Sequence, residues 1–89
     1  ICLSHLGFKY TNDPEKVCDV LLAQKTKNID LIIGGHTHTF LDKPIVETNR
    51  DGQPVLINQV GCFGINLGRI DFYFSNDKHY DTKTRNIIV

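Results

Sequence analysis

The apolar positions of this 89-residue chain fall into short runs of different kinds. Leu31-Ile32-Ile33 is continuous and branched, the pattern of a strand buried on both faces. Ile1-Cys2-Leu3-Ser4 reads as the end of a second buried strand. Between them Val17, Val20 and Leu21, with Cys18 and Leu22 beside them, recur at helical spacing and form one apolar face. Asp13 suits the N-cap, Pro14 the first helical position and Glu15 the negative charge favoured in the first turn. Lys25 and Lys27 suit the other end, and Asn28 suits a left-handed stop. Strand, helix, strand predicts a βαβ unit of right-handed crossover.

Beyond residue 40 the texture becomes β-like. Ile45-Val46-Glu47-Thr48 and Pro54-Val55-Leu56-Ile57-Asn58 flank Asn49-Arg50-Asp51-Gly52, whose turn chemistry predicts a hairpin. Gln59 to Gly64 is a bend punctuated by glycine. From Leu67 to Phe74 the residues alternate, with Leu67, Arg69, Asp71 and Tyr73 on one face and Gly68, Ile70, Phe72 and Phe74 on the other. Ser75-Asn76-Asp77-Lys78 reads as a turn. The remainder, polar until Ile87-Ile88-Val89, reads as a last strand. The predicted fold class is α/β: strand, helix, strand, then a β-hairpin and outer strands.

Two of the predicted strands run straight into histidine. Leu31-Ile32-Ile33 is followed by Gly34-Gly35-His36-Thr37-His38, and the glycines permit a sharp turn and close approach. Ile1-Cys2-Leu3-Ser4 is followed by His5-Leu6-Gly7. If the two strands are parallel neighbours, His5 and His36 meet at the carboxyl edge of the sheet, where open α/β sheets carry their chemistry. Neutral imidazole is a common ligand for divalent metals. In an extended segment residues two apart share a face, so His36 and His38 serve one metal or two adjacent ones. A lone histidine in a loop more often bonds backbone; a Gly-Gly-His-x-His run behind a buried strand favours metal.

Composition narrows the partners. Ten Lys and Arg residues balance ten Asp and Glu, and no basic run appears, which argues against a polyanion-binding surface. No apolar run is long enough to span a bilayer. Cys2, Cys18 and Cys62 are far apart with no C-x-x-C pair, so neither a thiolate zinc site nor a complete disulfide framework is expected, and each reads as a small buried hydrophobe. His79, in a polar turn-like setting, is assigned no role. The chain opens inside an apolar run without a leader pattern, which predicts a piece of a longer protein.

Ser4-His5-Leu6-Gly7 together with Asp30-Leu31-Ile32-Ile33-Gly34-Gly35-His36-Thr37-His38-Thr39 resembles the two carboxyl-terminal metal motifs of calcineurin-like metallophosphoesterases. Val55-Leu56-Ile57-Asn58-Gln59-Val60-Gly61, followed by Leu67-Gly68-Arg69-Ile70-Asp71, is similar to the 5′-nucleotidase branch. The resemblance implies that residues 1–89 are a carboxyl-terminal fragment of a metallophosphoesterase catalytic domain, a partial β-sandwich flanked by helices. It implies two divalent metal ions (zinc, manganese or iron) in the complete domain, with His5 and His36 on the second and His38 on the first. The implied substrate is a small phosphate ester, a nucleotide, and the implied location is the periplasm or cell surface. The family's upstream D-x-H, G-D-x-x-D and G-N-H-[DE] motifs do not occur here, nor does its separate nucleotide-binding domain.

Asp13, Asp19, Asp42, Asp51, Asp71, Asp77 and Asp81 fall in turn, helix-surface or outer-strand contexts, and Asp30 reads as a cap or ladder-end polar residue. None is assigned as the bridging carboxylate. The isolated chain is therefore expected to bind metal weakly and to be inactive, with one sheet edge left open for the amino-terminal half of the domain. Two alternatives remain. One is a phosphodiesterase or nuclease of the same superfamily, which the neutral charge disfavours. The other is a non-catalytic domain with structural zinc, whose fourth ligand would come from His79 or a cysteine, Cys62 being the one to test.

Overall fold

The predicted βαβ unit forms, with a shorter helix than its sequence suggests. The structure is a computed structural model describing residues 1–75 and 80–89. In chain order its elements are β1 (Cys2–Leu3), α1 (Asp19–Lys25), β2 (Leu31–Ile33), β3 (Ile45–Thr48), β4 (Pro54–Asn58), β5 (Asn66–Phe74) and β6 (Tyr80–Ile88). One sheet has the order β1-β2-β4-β3; β5 and β6 form a separate two-stranded sheet. β1, β2 and β4 run parallel, with Cys2 opposite Ile32 and Ile32 opposite Ile57, while β3 returns antiparallel to β4. The fold is mixed α/β, and α1 is its one helix among the described residues.

The core sits between α1 and the middle of the first sheet. Ile32, Val55 and Ile57 are fully buried there against Ala23, Val20 and Cys18, with Phe8, Tyr10, Leu21, Leu22 and Ile29 closing the sides. Leu31 and Leu56 are buried as well, so β2 and β4 read as continuous apolar runs because they lie inside a parallel sheet. The expectation of burial fails at both ends of this region. Ile33 is half exposed, and Ile1 and Leu3, on either side of Cys2, both face solvent, leaving Cys2 as the residue turned to the core. Among the described residues β1 is an edge strand, paired with β2 alone.

The helix differs from its predicted span. Asp13 and Pro14 make only a turn, in which Lys16 N donates to Asp13 O at 3.1 Å. Val17 is exposed, and α1 begins at Asp19 with Cys18 as N-cap and no side-chain cap bond. The reason is tertiary. The chain after β1 presents two carbonyls to the helix start: Asp19 N donates to Gly7 O at 2.8 Å and Val20 N to Phe8 O at 3.2 Å. These bonds satisfy amide groups that a side-chain cap would otherwise serve. At the other end Asn28 does adopt a left-handed conformation (φ 68°), but the helix has already stopped at Thr26.

The hairpin between β3 and β4 forms as expected. Asn49 Oδ1 accepts from Asp51 N at 2.8 Å and Gln53 N at 2.9 Å, and Gly52 takes the positive φ. β5 and β6 pair in one unbroken register from Asn66 opposite Ile88 to Phe74 opposite Tyr80, so the polar last stretch is a full strand. Asn86 Nδ2, donating to Leu41 O at 2.7 Å, and Tyr80 OH, donating to Asp30 Oδ1 at 3.3 Å, tie this ribbon to the first sheet. Of the predicted turn after β5, residues 76–78 lie outside the described residues, as does His79.

Candidate functional site

β1 and β2 end level with one another, Leu3 opposite Ile33, and Ser4 N donates to Ile33 O at 2.9 Å to carry the ladder one residue further. The next residue of the first strand is His5. The second strand continues through Gly34 and Gly35 to His36. The two imidazoles meet edge to face, with ring centroids 5.1 Å apart and planes at 66°. His5, His36 and His38 are all exposed. Gly35 lies beside the pair: a Cβ there would come into van der Waals contact with the His5 ring, 3.4 Å from Nδ1.

The loop is not extended. His36 has φ 71° and His38 φ 52°. Thr37 N donates to Gly35 O at 2.9 Å across His36, so His36 is the centre of a positive-φ γ-turn, the rarer and strained form. The alternation expected for an extended segment therefore does not apply. His38 stands apart from the other pair, its ring 6.1 Å from that of exposed Phe63. Phe63 itself has φ 64°, an unusual conformation for a bulky side chain.

Buried polar side chains fix these loops from below. Gln59, at the end of the apolar run through β4, is 3% exposed. Its Oε1 accepts from Thr39 N at 2.6 Å and from Thr37 Oγ1 at 3.4 Å, and the Thr37 and Thr39 hydroxyls are 2.8 Å apart. Thr37 Oγ1 also accepts from Phe8 N at 3.0 Å, which binds the His36 loop to the His5 loop. Asp19 is fully buried, correcting its reading as a helix-surface residue. Its Oδ1 accepts from Ser4 Oγ at 2.5 Å, and its Oδ2 faces Gly34 so closely that a Cβ there would collide with it. Burial pushes the Asp19 carboxyl above the usual carboxylate range, against the opposing pull of the Ser4 hydroxyl. The sequence held one signal for this residue: Asp19 lies four positions before Ala23, on the face α1 buries.

As a donor set, His5 and His36 fit two adjacent ligands of one cation: neighbouring imidazoles at an exposed strand edge. The described residues hold no group of three or more His, Cys, Asp or Glu side chains arranged for a metal. Cys62 is partly exposed and joins no such group; Cys2, Cys18 and Cys62 are all free thiols, and of the three only Cys18 is buried.

No family model matches the chain. Individual proteins do. The trifunctional nucleotide phosphoesterase protein YfkN of Bacillus subtilis is 39% identical over the whole chain, which spans 5% of that protein. The 5′-nucleotidase of Rattus norvegicus is 31% identical, again over the whole chain, which spans 16% of it. A snake venom 5′-nucleotidase from Naja atra is 32% identical over 85% of the chain and 15% of its own length. Among solved structures, the 5′-nucleotidase precursor of Thermus thermophilus superposes with a TM-score of 0.71 at 25% identity, covering 79% of this chain and 16% of that one. The chain thus spans less than a fifth of these relatives, and over that span it belongs to the 5′-nucleotidase branch of the metallophosphoesterases.

Proposed function

We propose that this chain is part of the catalytic domain of a two-metal phosphomonoesterase that hydrolyses nucleotides, and that on its own it is inactive. The observation that carries the reading is the meeting of His5 and His36, 5.1 Å apart between ring centroids, at the carboxyl ends of two adjacent parallel strands. Relatives named 5′-nucleotidase or nucleotide phosphoesterase support the substrate class. A cell-surface or periplasmic setting is in keeping with a relative from snake venom.

In this reading His5 and His36 present imidazole nitrogens to one cation and His38 to a second. A bound cation pair supplies positive charge for the phosphoryl oxygens and lowers the pKa of a bound water. The protein's own part is orientation. The γ-turn at His36 sets the direction of its ring, while Thr37 holds the loop against the chain that follows β1 and Gln59 holds it against the end of β4. Exposure of all three histidines leaves the edge open to a phosphate ester and to the remaining ligands, which come from the rest of the protein.

The test is phosphate release from nucleoside 5′-monophosphates by the full-length protein with added manganese, beside His36→Ala. The variant is expected to lose roughly a hundredfold or more in rate, comparable to removing a major transition-state stabiliser. Hydrolysis indifferent to His36, or no hydrolysis of nucleotides by the unmodified protein, overturns the reading.

A further inference from the structure

We infer that Asp19 is a positioning residue: its buried carboxylate couples the chain after β1 to the chain after β2, so that His5 and His36 reach one cation together. The inference rests on the two-metal reading. Asp19 is fully buried, and it touches the residue before His5 on one side and the glycine two before His36 on the other.

Each half of that contact is specific. Ser4 Oγ donates to Asp19 Oδ1 at 2.5 Å and accepts from Leu6 N at 3.2 Å, so one hydroxyl bridges Asp19 to both backbone neighbours of His5. The Asp19 backbone adds a bond from its N–H to Gly7 O at 2.8 Å. On the second side Asp19 Oδ2 lies where a Gly34 side chain would be, and it has no hydrogen-bond partner among the described residues. Gln59 Nε2, equally buried and unpartnered among the described residues, lies on the same glycine, 3.5 Å from where its Cβ would be. A buried carboxylate oxygen left without a donor is costly to a fold. Its place between the residue before His5 and the glycine two before His36 gives it a role: it fixes the loop that carries His36 against the one that carries His5.

The experiment is manganese binding to the full-length protein without substrate, with the melting temperature of the metal-free form measured in parallel. Partners that orient metal-binding histidines typically change affinity ten- to a hundredfold, so Asp19→Asn is expected to weaken manganese binding at least about tenfold. Ser4→Ala, which leaves the carboxylate in place but cuts its link to the His5 side, is expected to weaken it by a smaller factor and serves as the deciding variant if Asp19→Asn does not fold. A merely structural role would lower the metal-free melting temperature and leave manganese affinity within about twofold; that result in the folded variants overturns the inference. If the unmodified protein binds no manganese, the two-metal reading falls and this inference falls with it. Normal binding to the unmodified protein and to both variants removes this inference alone.

Discussion

The molecule has two β regions built on opposite terms. In the β1-β2-β4-β3 sheet the central strands are short and apolar, with Ile32, Val55 and Ile57 fully buried, and the loops at their carboxyl ends are conformationally costly. The β5–β6 ribbon is long, regular and half solvated; its nine registered pairs contain no special backbone, and Leu67, Tyr73, Phe74 and Ile88 are exposed. The histidines of the proposed site collect in the first region. There the buried strands hold their ends firmly enough to maintain His36 in a strained turn, and buried Asp19 and Gln59 can be tolerated because many neighbours fix them. A two-stranded ribbon has no such reserve, since an isolated hairpin is marginal in water.

If that contrast is right, damage to the first sheet should cost far more than damage to the ribbon. Ile57→Ala removes a fully buried side chain from β4, the strand between β2 and β3, and is expected to lose about 4 kcal/mol in equilibrium denaturation. Leu67→Ala, at an exposed position of β5, is expected to lose under about 1 kcal/mol. Equal losses would break the comparison.

Gly34→Ala sharpens it at the site itself. A methyl group there meets the Asp19 carboxylate, so about 2 to 3 kcal/mol of stability should go, as in overpacked cores. Manganese affinity should fall with it. Gly52→Ala in the hairpin turn is the matched control: its Cβ would meet nothing within 4 Å, and only the positive φ of 78° stands against it. That costs about 1 kcal/mol, and manganese binding should be unchanged. Next in size is Gln59→Leu, which keeps the volume but strands the Thr39 N–H and frees the Thr37 hydroxyl. A loss of about 2 kcal/mol is expected, together with faster hydrogen exchange at the Thr39 amide.

Much of the fold could be read from the sequence wherever pattern and local chemistry agree. The Leu31-Ile32-Ile33 run, the Asn49 to Gly52 turn and the β5 strand all depend on near neighbours and appear where expected, though the burial alternation of β5 holds only as far as Ile70. The same holds for the placement of His5 and His36, which follows once two apolar runs are taken as parallel neighbours. What stayed hidden depends on partners far along the chain. The Asp13-Pro14 signal is a sound cap, yet the carbonyls of Gly7 and Phe8 start the helix at Asp19 instead. Asp19 looks like a surface charge until Ser4 and Gly34 close around it. Gln59 shows its value only when Thr37 and Thr39, some twenty residues away, fold back onto its amide. The last strand was expected, and its pairing with β5, not its own burial, sets its full length from Tyr80 to Ile88.

The smallest expected effect lies on the ribbon. Arg69 Nε donates to Asp71 at 3.0 Å, with the two side chains 62% and 34% exposed. Directly across the register Arg69 faces Arg85, a like-charge pair, while Asp71 faces Lys83. Arg69→Ala therefore removes a weak, solvent-screened attraction and a cross-strand repulsion together. The two oppose one another, and the net change should be below about 0.5 kcal/mol, with phosphate release unaffected. Raising the salt concentration should shrink the difference further, because exposed charges are screened over about 10 Å at ordinary ionic strength. A loss above about 1 kcal/mol would mean that the ribbon's surface charges hold it to the first sheet, and the division between a site-bearing sheet and a loosely tied ribbon would have to be redrawn.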